Sequence, residues 1–360
     1  MKARRSSSPS RRMGRSAWRA AQLLVPLVVG ALCAGVPDIN AQAGAPAAQI
    51  VFVSPYRGTR QIFLVDAGGG GLQRLTSPPG DSEGPTWSPE GQRLLFVRSN
   101  ADDTQIYTAS EGGRELRRLT APPGTHAEAA WSPDGRRVAY ITRMSGIGRV
   151  SLMNADGGDK RILSGPPASA SAPEWSPDGH LIAFLVQSQE SGAELYLTRS
   201  DMGGMRRIPT PATGVIPGVS GFVWLRDGQH IAYTTRAGPA QSDISVVQLD
   251  GTPPRWLAFG YAPNWSPDGT RVAFVVAHVG GGQIYVQEVT SGRSVPLTDP
   301  KYISLRPVWS PDGAWIAFLS VRGTDLALWV MHADGSGQRR LAPAAGNLSV
   351  LPVISWVPYR

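Results

Sequence analysis

The pentapeptide Trp-Ser-Pro-Glu-Gly at 87–91 recurs as Trp-Ser-Pro-Asp-Gly starting at Trp131, Trp175, Trp265 and Trp309. It returns as Trp-Leu-Arg-Asp-Gly at Trp224 and, cut short, as Trp356-Val357-Pro358. These seven tryptophans are 44, 44, 49, 41, 44 and 47 residues apart, the period of a propeller blade of four strands. A unit of that size cannot bury its apolar face alone and must stack on its neighbours, so the repeat excludes most other architectures.

The rest of each unit follows from local chemistry. In Ser-Pro-Asp-Gly, proline presets φ, aspartate bonds the nearby backbone and glycine takes the left-handed conformation, which together make a hairpin turn. An apolar run follows each turn: Leu94 to Val97, Val138 to Ile141, Leu181 to Val186, Ile231 to Tyr233, Val272 to Val276 and Ile316 to Leu319. Their near-continuous hydrophobicity fits strands covered on both faces by neighbouring blades. A third strand follows, as in Gln105-Ile106-Tyr107, Glu194-Leu195-Tyr196, Gln283-Ile284-Tyr285 and Leu328-Trp329-Val330, and then a fourth ending in Arg118-Leu119-Thr120 or its relatives. The 42 glycines and 31 prolines suit short strands and tight turns rather than a helical bundle.

The ends of the chain determine the blade count. Ile50 to Ser54, Gln61 to Asp66 and Leu72 to Thr76 read as second, third and fourth strands with no first strand before them. Val353 to Val357, with Trp356, reads as a first strand with nothing after it. Pairing the two halves leaves the fewest unpaired edges. The expected fold is therefore all-β: a seven-bladed β-propeller of four-stranded antiparallel blades over 49–360, closed by pairing of the C-terminal strand with the N-terminal strands, after a short flexible leader at 44–48.

The formal net charge of +8 would suggest a polyanion partner, but its location argues otherwise. Residues 1–43 hold seven basic side chains against Asp38 alone, which leaves a nearly neutral body without a footprint for nucleic acid. The basic stretch, the apolar run Leu23 to Ala34 and the small-x-small sequence Ala41-Gln42-Ala43 form an export signal, with cleavage expected after Ala43 and the periplasm as destination. Ser10-Arg11-Arg12 is similar to the start of a twin-arginine signal, so the export route stays open. Secretion, or lipid attachment at Cys33, is the alternative. Cys33 is the only cysteine, so the exported body has no disulfide or thiolate site. No transmembrane helix is expected in it, and it is expected to be a monomer.

The WSPDG turn with its IAFxS-type and IYxxxxDG-type strands resembles the TolB-like (PD40, WD40-like) propeller repeat. That repeat is found in the bacterial periplasmic protein TolB and, in related form, in prolyl-peptidase-like enzymes and oligogalacturonate lyase. The resemblance covers nearly all of the body and implies the propeller fold. TolB itself carries an α/β domain ahead of six blades, whereas here the export segment leads straight into the first of seven, so TolB's partner contacts are not carried over.

No catalytic residue, metal site or cofactor is implied. Gly80-Asp81-Ser82-Glu83-Gly84 matches the GxSxG elbow of serine hydrolases but has no strand-to-helix context. The histidines at 126, 180, 230, 278 and 332 never pair closely, and the SPDG aspartates are spread one per blade, where turn formation accounts for them. The informative positions lie on the rim shared by the starts of the inner strands and the loops joining second to third strands. The first set offers Glu83, His126, Glu128, Glu174, Tyr261, Asn264, Tyr302 and Arg306. The second offers Tyr56, Arg57, Asp102, Asp103, Arg143, Arg236, His278, Arg322 and Asp325. The expected role is non-enzymatic binding or scaffolding of a protein or peptide at this rim. The alternative is a hydrolase or lyase acting on oligosaccharides or peptides, with rim carboxylates such as Glu83, Glu128 or Glu174 as acid and base, Glu83 and Glu128 coming from adjacent blades.

Overall fold

The computed structural model describes residues 48–358 apart from 102, 165–168, 189–191, 202–203, 211–215, 237–240 and 344–353. The export signal, its cleavage point and Asp102 lie outside the described residues. Seven four-stranded antiparallel sheets follow one another, each running from inner to outer strand in chain order except the first. Blade one takes its inner strand, Ile354–Trp356, from the C-terminus and pairs it with Gln49–Tyr56, Ile50 opposite Trp356 and Phe52 opposite Ile354. Blades two to seven start with inner strands Asp81–Trp87, Thr125–Trp131, Ala170–Trp175, Ile216–Trp224, Tyr261–Trp265 and Ile303–Trp309. The expected composite blade is present. Ala48, placed on sequence in the leader, is buried, and its carbonyl accepts from the Ala67 amide at 2.8 Å.

The core is a set of clusters, one at each of seven blade-to-blade interfaces. One lies between blades seven and one, where Trp315, Leu319 and Val330 meet Ile50, Phe52 and Trp356. Others join one to two, two to three, three to four, four to five, five to six and six to seven. Seven blades with seven apolar interfaces make a closed ring. This is why the second strands read as unbroken apolar runs: both of their faces are covered.

Repeated side-chain contacts turn the sequence repeat into structure. Phe96 stacks on Tyr107, Phe184 on Tyr196 and Phe274 on Tyr285 across the second and third strands, at centroid distances of 6.0, 6.1 and 6.1 Å. Arg93, Arg137 and Arg271, six residues after their own tryptophan, lie over Trp131, Trp175 and Trp309 of the next blade at 4.7, 4.9 and 4.6 Å. The threonine closing the fourth-strand motif accepts a third-strand amide: Thr76 from Ile62, Thr120 from Ile106 and Thr298 from Ile284, each at 2.9 Å.

The hairpin aspartates do the work assigned to them. Asp134, Asp178, Asp268 and Asp312 each accept from the serine hydroxyl two residues earlier and from the backbone amide two residues later. At Asp268 these bonds hold the carboxyl pKa at about 2. Outer strands are shorter than the sequence pattern suggests, only Gln73–Arg74 and Arg117–Arg118 in blades one and two. These exposed, arginine-bearing edges give little template for pairing with another chain.

Candidate functional site

The inner strands surround the channel, and each complete blade carries a register shift in its inner strand, immediately ahead of the repeat tryptophan in blades two, three, four, six and seven and earlier in the strand, before Gly221, in blade five. In five blades the residue three before that tryptophan has a left-handed backbone: Gly84 at φ 59°, Glu128 at 52°, Ala172 at 50°, Ala262 at 51° and Arg306 at 51°. Only glycine adopts this region without cost, and other residues lose roughly 1–2 kcal/mol. The bulge turns these side chains out of the alternation of the strand. Glycine at that position in blade two, Gly84, is its one signal in the sequence.

Most of the expected rim residues lie inside these strands, and their surroundings separate them into three groups. The first is bound into the ring. Glu83 pairs with Arg60 of blade one, which also binds Asp81 at 2.7 Å. Glu128 pairs with Arg143 at 2.6 Å and accepts from the Ala172 amide of the next blade at 2.5 Å. Asn264 accepts from the Trp309 amide at 2.8 Å. His126 is buried, contacting Thr142 at 3.2 Å and the Ala121 carbonyl at 3.3 Å, and desolvation lowers its pKa. Glu83 and Glu128 do not form the free facing pair expected of an acid and a base.

Tyr302, just ahead of its strand, sits beneath Arg322 at 4.4 Å and Lys301 at 4.8 Å and forms the second group alone.

The third group makes no side-chain hydrogen bond or ion pair among the described residues. Tyr261 and Arg306 line a cavity of about 590 Å³ at one mouth, formed by blades five, six and seven. Arg306 reaches solvent, but surrounding protein strips hydration from its guanidinium and lowers its pKa. Arg236, from the second rim set, lines the same cavity.

Glu174 occupies a separate level. It stands immediately before its repeat tryptophan, opposite Ala183, as Val223, Asn264 and Val308 stand opposite Ala232, Ala273 and Ala317. Those three residues and Ser355 line a cavity of about 370 Å³ around the axis, which places the position at the channel wall. Thr86, Ala130, Val223, Asn264, Val308 and Ser355 fill it in the other blades, so Glu174 is its one ionisable residue. No hydrogen bond or ion pair engages the Glu174 carboxyl among the described residues, and desolvation raises its pKa to about 7.

Ser82 of the GxSxG match is fully buried in the inner strand of blade two, not exposed on an elbow. Two of the histidines serve local packing, His332 stacked on Trp315 at 3.9 Å and His230 against Asp227 at 2.6 Å.

The family model for the TolB beta propeller domain matches residues 36–212 and 223–356. The chain belongs to the TolB β-propeller family. Curated relatives include the Tol-Pal system protein TolB of Xanthomonas campestris pv. campestris, strain B100, 36% identical over 84 residues, and that of Xanthomonas oryzae pv. oryzae, strain PXO99A, 34% identical over 84 residues. In both, the match covers 21% of this chain and only 18% of the relative's length. Among solved structures, TolB from Acinetobacter baumannii is 16% identical with a TM-score of 0.56, covering 74% of this chain and 67% of its own. An oligogalacturonate lyase in complex with manganese is 16% identical with a TM-score of 0.66, covering 79% and 86%. A puromycin-hydrolyzing peptidase from Mycobacterium tuberculosis is 18% identical with a TM-score of 0.65, covering 86% and 56%. At these identities the structural likeness establishes the propeller fold of this TolB-family chain, not its chemistry. No helix among its described residues is long and apolar enough to cross a membrane.

The left-handed arginine gives a direct test of whether the site is strained for a purpose. In Arg306→Gly the backbone cost disappears while the extra unfolded-state freedom of glycine takes part of the gain back. Thermal denaturation should therefore show a stabilisation of up to about 1 kcal/mol. A destabilised variant would show that the Arg306 side chain holds the bulge together.

Proposed function

We propose that this protein is an exported, non-enzymatic binding or scaffold protein of the bacterial periplasm, engaging a protein or peptide through the rim of its TolB-family propeller. One observation carries the reading: the rim carboxylates suited to acid–base work, Glu83 and Glu128, are bound by Arg60, Arg143 and the Ala172 amide. Among the described residues, the charged groups that line the mouth cavity are Arg236 and Arg306, which can recognise a partner but do not supply a nucleophile with its base. The ring closed by seven apolar interfaces offers a rigid platform for such recognition. Tol-Pal system proteins among the curated relatives support the periplasmic setting and a protein partner.

Affinity capture from a periplasmic extract, with Arg306→Glu as the comparison, tests the reading. A specific partner should be recovered by the parent and lost or depleted several-fold with the charge-reversed variant. Recovery of no partner, or of partners indifferent to the substitution, would overturn it.

A second reading is favoured by Glu174 alone. An unengaged carboxyl with a pKa near 7 at a channel wall suits general acid or base catalysis on an oligosaccharide or peptide. Turnover of a substrate from either class that disappears in Glu174→Gln would establish it.

A further inference from the structure

The cavity of about 590 Å³ at the mouth of blades five to seven has a composition that none of its structural duties explains. Two arginines from different blades line it: Arg236, at the end of the second strand of blade five, and Arg306, in the bulge of blade seven. Neither forms an ion pair or hydrogen bond with any described residue, although elsewhere in the ring Arg60, Arg93, Arg118, Arg143 and Arg199 are all paired with carboxylates. Arg306 is held there against the backbone preference of a non-glycine residue.

The remaining wall includes Phe222, Tyr261 and Leu305, an apolar surface beside the two cations.

We propose that this cavity binds a small carboxylate whose body is flat and apolar. A guanidinium presents its N–H groups as a fork that matches a carboxylate edge. Two such forks receive the oxyanion, and the aromatic and aliphatic wall covers the body. The pairing of charge with an apolar wall is what separates this ligand from a simple inorganic anion, which would leave Phe222, Tyr261 and Leu305 uncovered. The site needs only the folded propeller and is independent of any protein partner.

Calorimetric titration of the purified protein with benzoate, its neutral counterpart benzamide and inorganic phosphate tests the assignment. Benzoate should bind saturably in a way that weakens as salt rises, benzamide should not bind, and phosphate should bind at least tenfold more weakly than benzoate. Arg306→Gln and Arg236→Gln should each weaken benzoate at least tenfold. Both side chains are exposed, so melting curves should show the two variants folded. Absence of benzoate binding at millimolar concentration, equal binding of benzamide, tighter binding of phosphate, or binding unchanged in both arginine variants would overturn the proposal. Such a result would leave partner capture by the rim as a separate question.

Discussion

Deletion of residues 353–360 should yield a chain that aggregates on expression or is cut rapidly by protease, whereas the parent melts cooperatively. The strand Ile354–Trp356 is the inner strand of blade one and completes a sheet whose other three strands are at the opposite end of the sequence. Without it the edge of Gln49–Tyr56 loses its partner, and Ile50 and Phe52, now buried beside it, face solvent. Trp356 is 6% exposed, packs in the cluster that joins blades seven and one, and donates its indole N–H to the Val308 carbonyl at 2.9 Å. A milder substitution separates closure from misfolding: Trp356→Ala should remain folded and lose about 3–5 kcal/mol, in the range for truncating a large buried aromatic. A deletion variant with the parent's melting temperature and protease resistance would show that the ring does not depend on this strand.

The second large effect is one of pH. Glu174 has a folded-state pKa of about 7 against an ordinary value of 4.5, because desolvation at the channel wall disfavours its charged form. Between those two values the folded protein holds a proton that the unfolded chain has released, so stability falls as pH rises through that window. The contribution is complete below about 4.5 and gone above about 7. A shift of this size corresponds to at most about 3.4 kcal/mol, and the partial accessibility of the side chain brings the effect down to about 2 kcal/mol. Glu174→Gln removes the ionisation and keeps the shape. The variant should match the parent near pH 4.5 and melt several degrees higher at pH 8. Equal melting temperatures at both pH values would show that the carboxyl is hydrated like any surface glutamate.

Much of the fold could be read from the residues because it rests on local and periodic chemistry. The Ser-Pro-Asp-Gly turns, the apolar runs after them and the tryptophan spacing each predict one strand or one turn, and each is found where expected. Even the closure at the termini was legible, since an unpaired first strand and an unpaired trio of strands have one economical solution. The strand bulges were not legible: a left-handed backbone at Glu128, Ala172, Ala262 and Arg306 has no local signature, because these residue types do not favour it.

The positions of the rim residues on the ring were legible, and their surroundings were not. The sequence by itself placed Glu83, Glu128, Glu174, Tyr261 and Arg306 around the channel, because position within a repeat assigns position on a ring. Only the tertiary structure decided which of them are engaged. Arg60 neutralises Glu83 from a neighbouring blade, and the Ala172 amide meets Glu128 because successive bulges stand side by side. Arg236 joins Arg306 across two blades to face one cavity, although 70 residues of chain separate them. Pairing and desolvation depend on distances of a few ångströms between side chains on different blades, and ring closure sets those distances; the repeat encodes only the order in which the blades are laid down.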